Sequence, residues 1–332
     1  MLLTNSIHYK YIESVNNLSI KNVGITGSNP SVACLIVDFR INPKGVVLSY
    51  GLTSQTGRPH AEINALNKIS KSQINDQTTL YVSLEPCFKE DNCCAKKISN
   101  KGIKRVVIAS KDPNPDIYGR GIDYLRSKDI KVIIAGPSLD KFKLINKYFY
   151  FFQKKNRPFI TLKIAISKNN FSKNLKEKNI SSIDTQHYMH KLRLKHDAIV
   201  IGYNTYADDK PMLTCRLSGI KKSTRAFILT KKIRRKLRFI QISFNEAKGL
   251  NDFFKILQEY RIQSVLIEGG LQTFKYFLKK KVFNEVFICQ SSQIIKNSKK
   301  RYKLDKKLIK NSCKKLHSQI YNKDIIEIYK NV

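Results

Sequence analysis

The sequence predicts an α/β protein built from two domains, and three observations lead to this prediction. Apolar runs typical of strands alternate with stretches of helical spacing in both halves of the chain. Hydrophobic residues make up 42% of the 332 residues, which is enough for two buried cores. A basic, aromatic and helical connector over residues 139–155 ends where Asn156, Arg157 and Pro158 break the pattern. We therefore expect domains at residues 1–150 and 156–332.

Strands and helices are expected to alternate through the first domain. The runs 31–39 and 45–51 should pair as a hairpin, because the turn residues Asn-Pro-Lys-Gly separate them. The later segments are a helix at 60–69, a strand at 78–87 that runs into a loop, a helix at 94–102 ended by glycine, a strand at 104–110, a loop at 112–121, a helix at 123–128 and a strand at 131–136.

The second domain is expected to repeat the α/β alternation without being a copy of the first. Its predicted strands are 159–167, 196–202, 225–230, 264–270 and 285–290. Beyond residue 291 the chain is rich in Lys and poorly patterned until 324–330, which is expected to form the final strand.

The chain is strongly basic, with 62 Lys and Arg against 25 Asp and Glu, a formal net charge of +37. This balance is compatible with nucleic-acid binding. The excess is mostly Lys spread along both halves, however, and we interpret it as composition rather than as a binding patch. No secretory leader, long apolar run or disulfide framework is recognisable, although the chain has seven Cys. A reducing cytoplasm is therefore the expected location.

One group of residues has the chemistry of a catalytic zinc site. His60 begins the motif His-Ala-Glu, and Cys87 and Cys94 follow on either side of the next strand-to-helix loop. One imidazole and two thiolates are ligands that zinc takes when its fourth position stays open for water. Glu62 is then the candidate general acid–base that moves protons from water to the ring and to the departing amine. The order of these residues matches the signature of zinc-dependent deaminases.

These motifs, together with the segments 27–37, 102–115 and 119–121, resemble the bifunctional deaminase/reductase family of riboflavin biosynthesis. The resemblance implies a cytidine-deaminase-like three-layer α/β/α domain followed by a dihydrofolate-reductase-like α/β domain. By the family spacing Cys94, rather than its neighbour Cys93, is the zinc ligand, and Asn29 contacts the substrate.

The resemblance extends into the second domain, through the segments 157–167, 181–205, 207–216 and 267–270. It implies NADPH as the second cofactor beside zinc. The residues expected to bind NADPH by the family pattern are Thr205, Asp209, Gly269 and Gly270. Those expected to hold the substrate are Ser167, Ser182, Leu213, Arg216 and Glu268.

The sequence departs from the family pattern at four places. The loop 88–93 is two residues shorter than usual, and Thr53 stands where a His is usual. The turn 167–170 reads Ser-Lys-Asn-Asn instead of Ser-Leu-Asp-Gly, although Asn tolerates the left-handed conformation that such a turn needs. The segment after Gln290 lacks the usual glycine loop.

The expected function is therefore a two-step conversion of a small phosphorylated pyrimidine. The first domain would deaminate 2,5-diamino-6-(5-phosphoribosylamino)pyrimidin-4-one, and the second would reduce its ribosyl group to ribityl with NADPH. Nucleic acid and membrane are not expected partners, and self-association into a homo-oligomer is left open. Two alternatives stay open as well: a cytidine- or tRNA-type deaminase with a basic second domain that is non-catalytic or RNA-binding, and a reductase-like second domain that serves only as a scaffold while another protein performs the reduction.

Overall fold

The computed structural model describes residues 7–89, 93–174, 180–215, 217, 224–235, 237, 239–244 and 249–332. The chain divides into two compact units, residues 1–156 and 157–332. Within the described residues, no helix combines the length and the apolar character needed to cross a bilayer.

The first unit alternates helices and strands, as its apolar patterning predicts. Its strands are β1 (Ala33–Asp38), β2 (Val46–Leu52), β3 (Thr78–Val82), β4 (Arg105–Ile108) and β5 (Lys131–Ile134). Its helices are α1 (Ile7–Ser19), α2 (Ala61–Leu66), α3 (Cys94–Lys101), α4 (Arg120–Arg126), α5 (Phe142–Ile145) and α6 (Lys147–Lys155).

The five strands form one mixed sheet in the order β2-β1-β3-β4-β5. β1 and β2 form the predicted antiparallel hairpin, with Cys34 opposite Gly51. β1 also runs antiparallel to β3, whereas β3, β4 and β5 are parallel. The loops that follow β3 and β4 therefore leave the sheet at the same edge, where the motif residues of the first domain are found.

Both faces of this sheet are covered. Cys34 and Ile36 of β1 pack into a core with Ala65 of α2 and Ile98 of α3. The alternate residues Ala33, Leu35 and Val37 face the opposite side and form a second core with Ile12 and Val15 of α1. Because successive side chains of a strand point to opposite faces, this alternation places one helical layer on each side. The predicted three-layer α/β/α fold is confirmed.

The second unit contains a larger sheet of eight strands. These are β6 (Phe159–Ile166), β7 (Ala198–Gly202), β8 (Arg225–Thr230), β9 (Ile240–Ser243), β10 (Ser264–Ile267), β11 (Glu285–Gln290), β12 (Cys313–Tyr321) and β13 (Asp324–Asn331). Its helices are α7 (Ile183–Lys195), α8 (Tyr203–Asp209), α9 (Gly249–Glu259), α10 (Leu271–Lys279) and α11 (Lys307–Lys310).

The order of this sheet is β12-β13-β11-β6-β10-β7-β8-β9. The six strands from β11 to β9 are parallel to their neighbours, and β13 and β12 are added antiparallel at one end. One face packs against α9 and α10 through residues such as Phe253 and Phe274. The other face packs in part against α7 through Met189 and Leu192. Because these strands are parallel, their carboxyl ends share one edge, the usual place for ligands in such sheets.

Several element boundaries differ from the sequence predictions. The connector predicted over 139–155 is two helices separated by Asn146. The side chain of Asn146 accepts the backbone N–H of Ser31 and donates to the carbonyl of Ser31. Helix α4 begins at Arg120, inside the segment predicted as loop. Strand β12 was not predicted, because most of its residues are exposed and it carries no apolar alternation.

Candidate active sites

The three predicted metal-binding residues come together at the edge where β3 ends. His60 is the residue before helix α2, and Cys94 is the first residue of helix α3. Nδ1 of His60 lies 3.5 Å from Sγ of Cys87 and 3.4 Å from Sγ of Cys94. Zinc ligands at about 2.0 Å for nitrogen and about 2.3 Å for sulfur stand roughly 3.5 Å apart in a tetrahedral site. The donor types and their spacing therefore fit zinc.

Glu62 lies beside this group and is almost fully buried, with 3% of its surface exposed. Burial raises the pKa of Glu62 to about 7, and the nearby charge of Cys87 adds to the effect. The thiol of Cys94 bonds Cys87 and lowers the pKa of Cys87 to about 4, with a further contribution from His60. The group thus combines a thiolate, an imidazole and a carboxyl that exchanges protons near neutral pH.

The two adjacent cysteines have different surroundings. Cys94 is the one whose sulfur faces His60. Cys93 is the residue that precedes helix α3; it packs against the apolar core with Ala95 and Ile98 and also borders the cavity over the metal-binding group, but it is not one of the three grouped donors. Helix geometry separates the two side chains, because consecutive residues at a helix start point in different directions.

The buried carboxylate of Glu85 connects the loop between β3 and Cys87 to the segment that follows β4. Glu85 accepts backbone N–H groups of Asp112 (3.2 Å) and Gly119 (3.1 Å) on one oxygen, and of Gly121 (3.2 Å) and Ile122 (3.4 Å) on the other. Glu85 stands two residues before Cys87 and is 2% exposed. Sequence analysis did not single it out, although an acidic residue at the end of an apolar strand was the available signal.

An open cavity of about 340 Å³ lies over the metal-binding group. Its described lining residues include three cationic side chains, Arg58, Lys89 and Lys97. Asn29 is not among the described lining residues, and its amide donates to the carbonyl of Gly57 (3.3 Å), the residue before Arg58. The full described lining is Arg58, Pro59, His60, Ile63, Cys87, Lys89, Cys93, Cys94 and Lys97.

Thr53, which stands where the family pattern usually has a His, is buried and hydrogen-bonded to the backbone. It is 2% exposed, and its hydroxyl accepts the N–H of Val32 (3.0 Å) and lies 3.2 Å from the carbonyl of Pro30. The side chain therefore ties the end of the β2 strand to the start of β1 and is not placed on the cavity wall described above.

In the second unit, Thr205 and the glycine pair meet at the carboxyl edge of the sheet. Gly269 and Gly270 follow β10 and precede helix α10, and Thr205 Oγ1 accepts the N–H of Gly270 at 2.9 Å. A Cβ on Gly269 would stand 2.6 Å from the Cβ of Thr273, so only glycine fits there. Gly270 has an ordinary φ of −61°, so its backbone conformation does not require glycine.

The other described residues that are predicted to bind cofactor or substrate lie on separate segments of the second unit. Asp209 is the last residue of helix α8, and Leu213 is buried with a positive φ of 54°. Ser182 caps helix α7 by accepting the N–H of Thr185 at 3.4 Å. Arg216 lies outside the described residues.

The altered turn 167–170 is intact. Asn170 has a φ of 69°, the left-handed conformation expected for this position, and its N–H bonds the carbonyl of Ser167 at 2.9 Å. The hydroxyl of Ser167 donates to Asn169 Oδ1 at 2.7 Å. Asn169 also bonds both backbone groups of Ile295, so the two segments that depart from the family pattern contact each other.

Glu268, the residue that follows β10, has a cationic partner that sequence analysis missed. Arg193 donates from Nε (2.9 Å) and Nη2 (2.6 Å) to its two carboxylate oxygens. Burial on its own raises the pKa of Glu268, but the charges of Arg193 and Lys163 outweigh it and the pKa falls to about 2. Lys163 was detectable as a lone cation within the apolar strand β6.

Two family profiles divide the chain between them. The cytidine and deoxycytidylate deaminase zinc-binding region matches residues 6–110, and the RibD C-terminal domain matches residues 158–326. The fold and the two sites thus define a protein that joins a zinc-binding deaminase domain to a reductase domain. The second match is the reason to set aside a purely RNA-binding second domain.

Curated relatives extend along most of the chain. It is 29% identical to the riboflavin biosynthesis protein RibD of Aquifex aeolicus over 88% of this chain and 89% of that protein. It is also 29% identical to RibD of Bacillus amyloliquefaciens, over 83% and 82% of the two chains. The chain belongs to the RibD family of riboflavin-biosynthesis proteins, which are deaminase and reductase enzymes.

Solved structures support the fold. RibD of Acinetobacter baumannii superposes with a TM-score of 0.84 at 22% identity, covering 98% of this chain and 99% of that one. A deaminase/reductase from Thermotoga maritima superposes with a TM-score of 0.81 at 24% identity and the same coverage.

Proposed function

We propose that the domain at residues 1–150 removes the 2-amino group of 2,5-diamino-6-(5-phosphoribosylamino)pyrimidin-4-one as ammonia. The domain at residues 156–332 then reduces the ribosyl group to ribityl with NADPH. The observation that carries the proposal is the convergence of His60, Cys87 and Cys94 beside the buried carboxyl of Glu62. The matched family supplies the substrate class and the order of the two steps.

In the first domain, Nδ1 of His60 and the sulfurs of Cys87 and Cys94 would hold the zinc ion. Zinc bound there supplies a Lewis acid that makes water nucleophilic near neutral pH. Glu62 would accept one proton from the attacking water and deliver it to the ring nitrogen. It would then take a second proton from the hydroxyl group added to the ring carbon and deliver it to the amine, which leaves as ammonia. Its burial suits this task, since a carboxyl whose pKa lies near the working pH both accepts and donates protons.

The cationic side chains that line the cavity favour a phosphorylated, and therefore anionic, substrate. Arg58, Lys89 and Lys97 border the same cavity as the metal-binding group. Cations lining a cleft raise the local concentration of anionic ligands and attract them from solution. We propose that this charge, together with Asn29 on the neighbouring loop, helps to place the substrate. The partner is thus a small molecule, and neither nucleic acid nor membrane is proposed.

In the second domain, NADPH would bind along the carboxyl edge of the parallel sheet. Gly269 and Gly270 stand at the start of α10, where helix N–H groups favour phosphate. Thr205 and Asp209 of helix α8 would contact the same cofactor. Bound NADPH supplies the hydride, and the protein orients the opened sugar against it.

Substrate residues of the second domain are proposed from the same edge and from the family pattern. Glu268 keeps lone pairs for a sugar hydroxyl beyond its two bonds to Arg193. The further proposed residues are Ser167, Ser182, Leu213 and Arg216. The enzyme is expected in the cytoplasm, and a homo-oligomer is compatible with the proposal.

The two activities are tested separately in one assay on the zinc-loaded full chain. Ammonia release from the diaminopyrimidine substrate reports deamination, and loss of NADPH absorbance with the deaminated substrate reports reduction. Glu62→Gln should keep zinc and reduction but lower ammonia release by at least about 100-fold, the lower range for losing a general acid–base. Near-normal ammonia release from Glu62→Gln would overturn the proposed role, and absence of either activity in the wild type would overturn that half of the function.

A further inference from the structure

A run of basic residues follows strand β8 at the edge proposed to bind NADPH. Lys231, Lys232, Arg234 and Arg235 come directly after Thr230, and no Asp or Glu occurs from Thr230 to Phe244. β8 is separated from β10 by β7 alone, and the three strands are parallel. The basic run therefore leaves the sheet at the same edge as Gly269 and Gly270.

Arg234 differs from its neighbours because its guanidinium is held in place. Its carbon Cζ lies 3.4 Å from the centre of the Tyr203 ring. Nη1 donates to Thr230 Oγ1 (2.7 Å) and to the carbonyl of Lys232 (2.7 Å). Arg234 is half-buried, whereas Lys231, Lys232 and Arg235 are exposed. Stacking and two hydrogen bonds thus orient one cation of this run, and the group retains further N–H donors.

A continuous set of contacts connects Arg234 to the glycine pair. Tyr203, which stacks on Arg234, is the first residue of helix α8. Thr205 lies two residues further along the same helix and accepts the N–H of Gly270. One short helix therefore contacts both the proposed phosphate-binding turn and the oriented guanidinium. A dinucleotide lying along this edge would extend from the glycine pair toward Arg234.

We infer that Arg234 binds the phosphate on the adenosine ribose of NADPH and makes the second domain prefer NADPH over NADH. A guanidinium is always charged and forms two parallel hydrogen bonds to phosphate. Dinucleotide sites that prefer NADH place an acidic residue on this ribose, and the segment after β8 contains none. This inference rests on the proposed reductase function and adds the residue that selects its cofactor.

The test compares NADPH and NADH binding by calorimetric titration of the zinc-loaded full chain. Arg234→Ala should weaken NADPH binding by about 10- to 100-fold, the range for losing hydrogen bonds to a charged group, and leave NADH binding unchanged. Arg234→Gln, which keeps most of the side-chain length, should likewise lower the affinity for NADPH relative to the affinity for NADH. Circular dichroism melting curves show whether each variant is folded.

Arg225→Ala is the matched control. Arg225 also lies over an aromatic ring, that of Tyr260 at 5.2 Å, but it stands at the opposite, amino end of the same strand. Its loss should leave both affinities unchanged. Equal weakening of NADPH and NADH by Arg234→Ala, or unchanged NADPH binding in both Arg234 variants, would overturn the inference while the reductase function stands. A wild-type chain that binds neither dinucleotide would instead overturn the reductase function on which the inference rests.

Discussion

Arg193 and Glu268 form a two-point ion pair that joins helix α7 to the end of strand β10. The side chains are 17% and 7% exposed, and a third donor of Arg193 bonds the carbonyl of Thr214 at 3.2 Å. The pair therefore links three segments of the second domain beside the glycine turn. Removing one partner of such a pair leaves a buried charge without its hydrogen-bonded counterion, and for Glu268 the charge of Lys163 would then compensate only in part.

We expect Arg193→Ala to destabilise the second domain by about 3–5 kcal/mol. The double variant Arg193→Met with Glu268→Gln should lose less, because it removes both charges together. Denaturant unfolding followed by circular dichroism measures both effects. A single variant as stable as the wild type would show that the pair does not stabilise the fold.

The same pair predicts a pH dependence. Because the pKa of Glu268 falls from its ordinary 4.5 to about 2, its ionised form stabilises the folded state. This contribution is complete above pH 4.5 and is lost as the pH falls toward 2. The difference in unfolding free energy between wild type and Glu268→Gln should therefore shrink over that interval. A constant difference would contradict the assignment.

Glu85 is expected to support the metal site without touching the metal. Glu85→Gln replaces one acceptor oxygen by an amide that faces backbone N–H groups, so two of the four bonds are lost. Zinc affinity, measured by competition with a chelator, should fall by roughly 10-fold or more, as it does when outer supports of a metal site are removed. Asp116→Asn is the control, because this exposed carboxyl on the same loop pairs only with Lys89 in the contacts described. Unchanged zinc affinity in Glu85→Gln would contradict the prediction.

The adjacent cysteines offer a matched pair of variants. Cys94→Ser should lose most of the zinc, whereas Cys93→Ser should keep about one zinc per chain. The reason is that Sγ of Cys94 lies 3.4 Å from Nδ1 of His60, whereas Cys93 is not part of the group of donors formed by His60, Cys87 and Cys94. Metal content by atomic spectroscopy measures the outcome, and the reverse pattern would show that the ligand assignment is wrong.

Asn170 tests whether the altered turn depends on a left-handed residue. Asn170→Gly and Asn170→Ala remove the same side-chain contacts but differ in the Cβ that a φ of 69° disfavours. The alanine variant should be less stable than the glycine variant by about 1–2 kcal/mol. Equal melting temperatures in circular dichroism would show that the turn tolerates either residue.

Much of the deaminase site was predictable because its chemistry is local in sequence. His60 and Glu62 lie within one helical turn, and zinc chemistry limits the residue types that complete the set. The alternating strands and helices were predictable for a related reason. Burial of one face of a helix or strand makes apolar residues recur along the sequence with the period of that element. These local features are sufficient to predict the fold class and the family from the sequence.

The tertiary structure decided what depends on distant residues. The partner of Glu268 lies 75 positions away, and Glu85 acts through backbone N–H groups that carry no sequence signature. The contact between the two altered segments joins Asn169 to Ile295 across 126 positions. Strand β12 was not predicted from the sequence, because most of its residues are exposed and its apolar residues do not alternate with polar ones. Backbone pairing and long-range ion pairs depend on which segments the fold brings together, and local residue patterns do not encode that proximity.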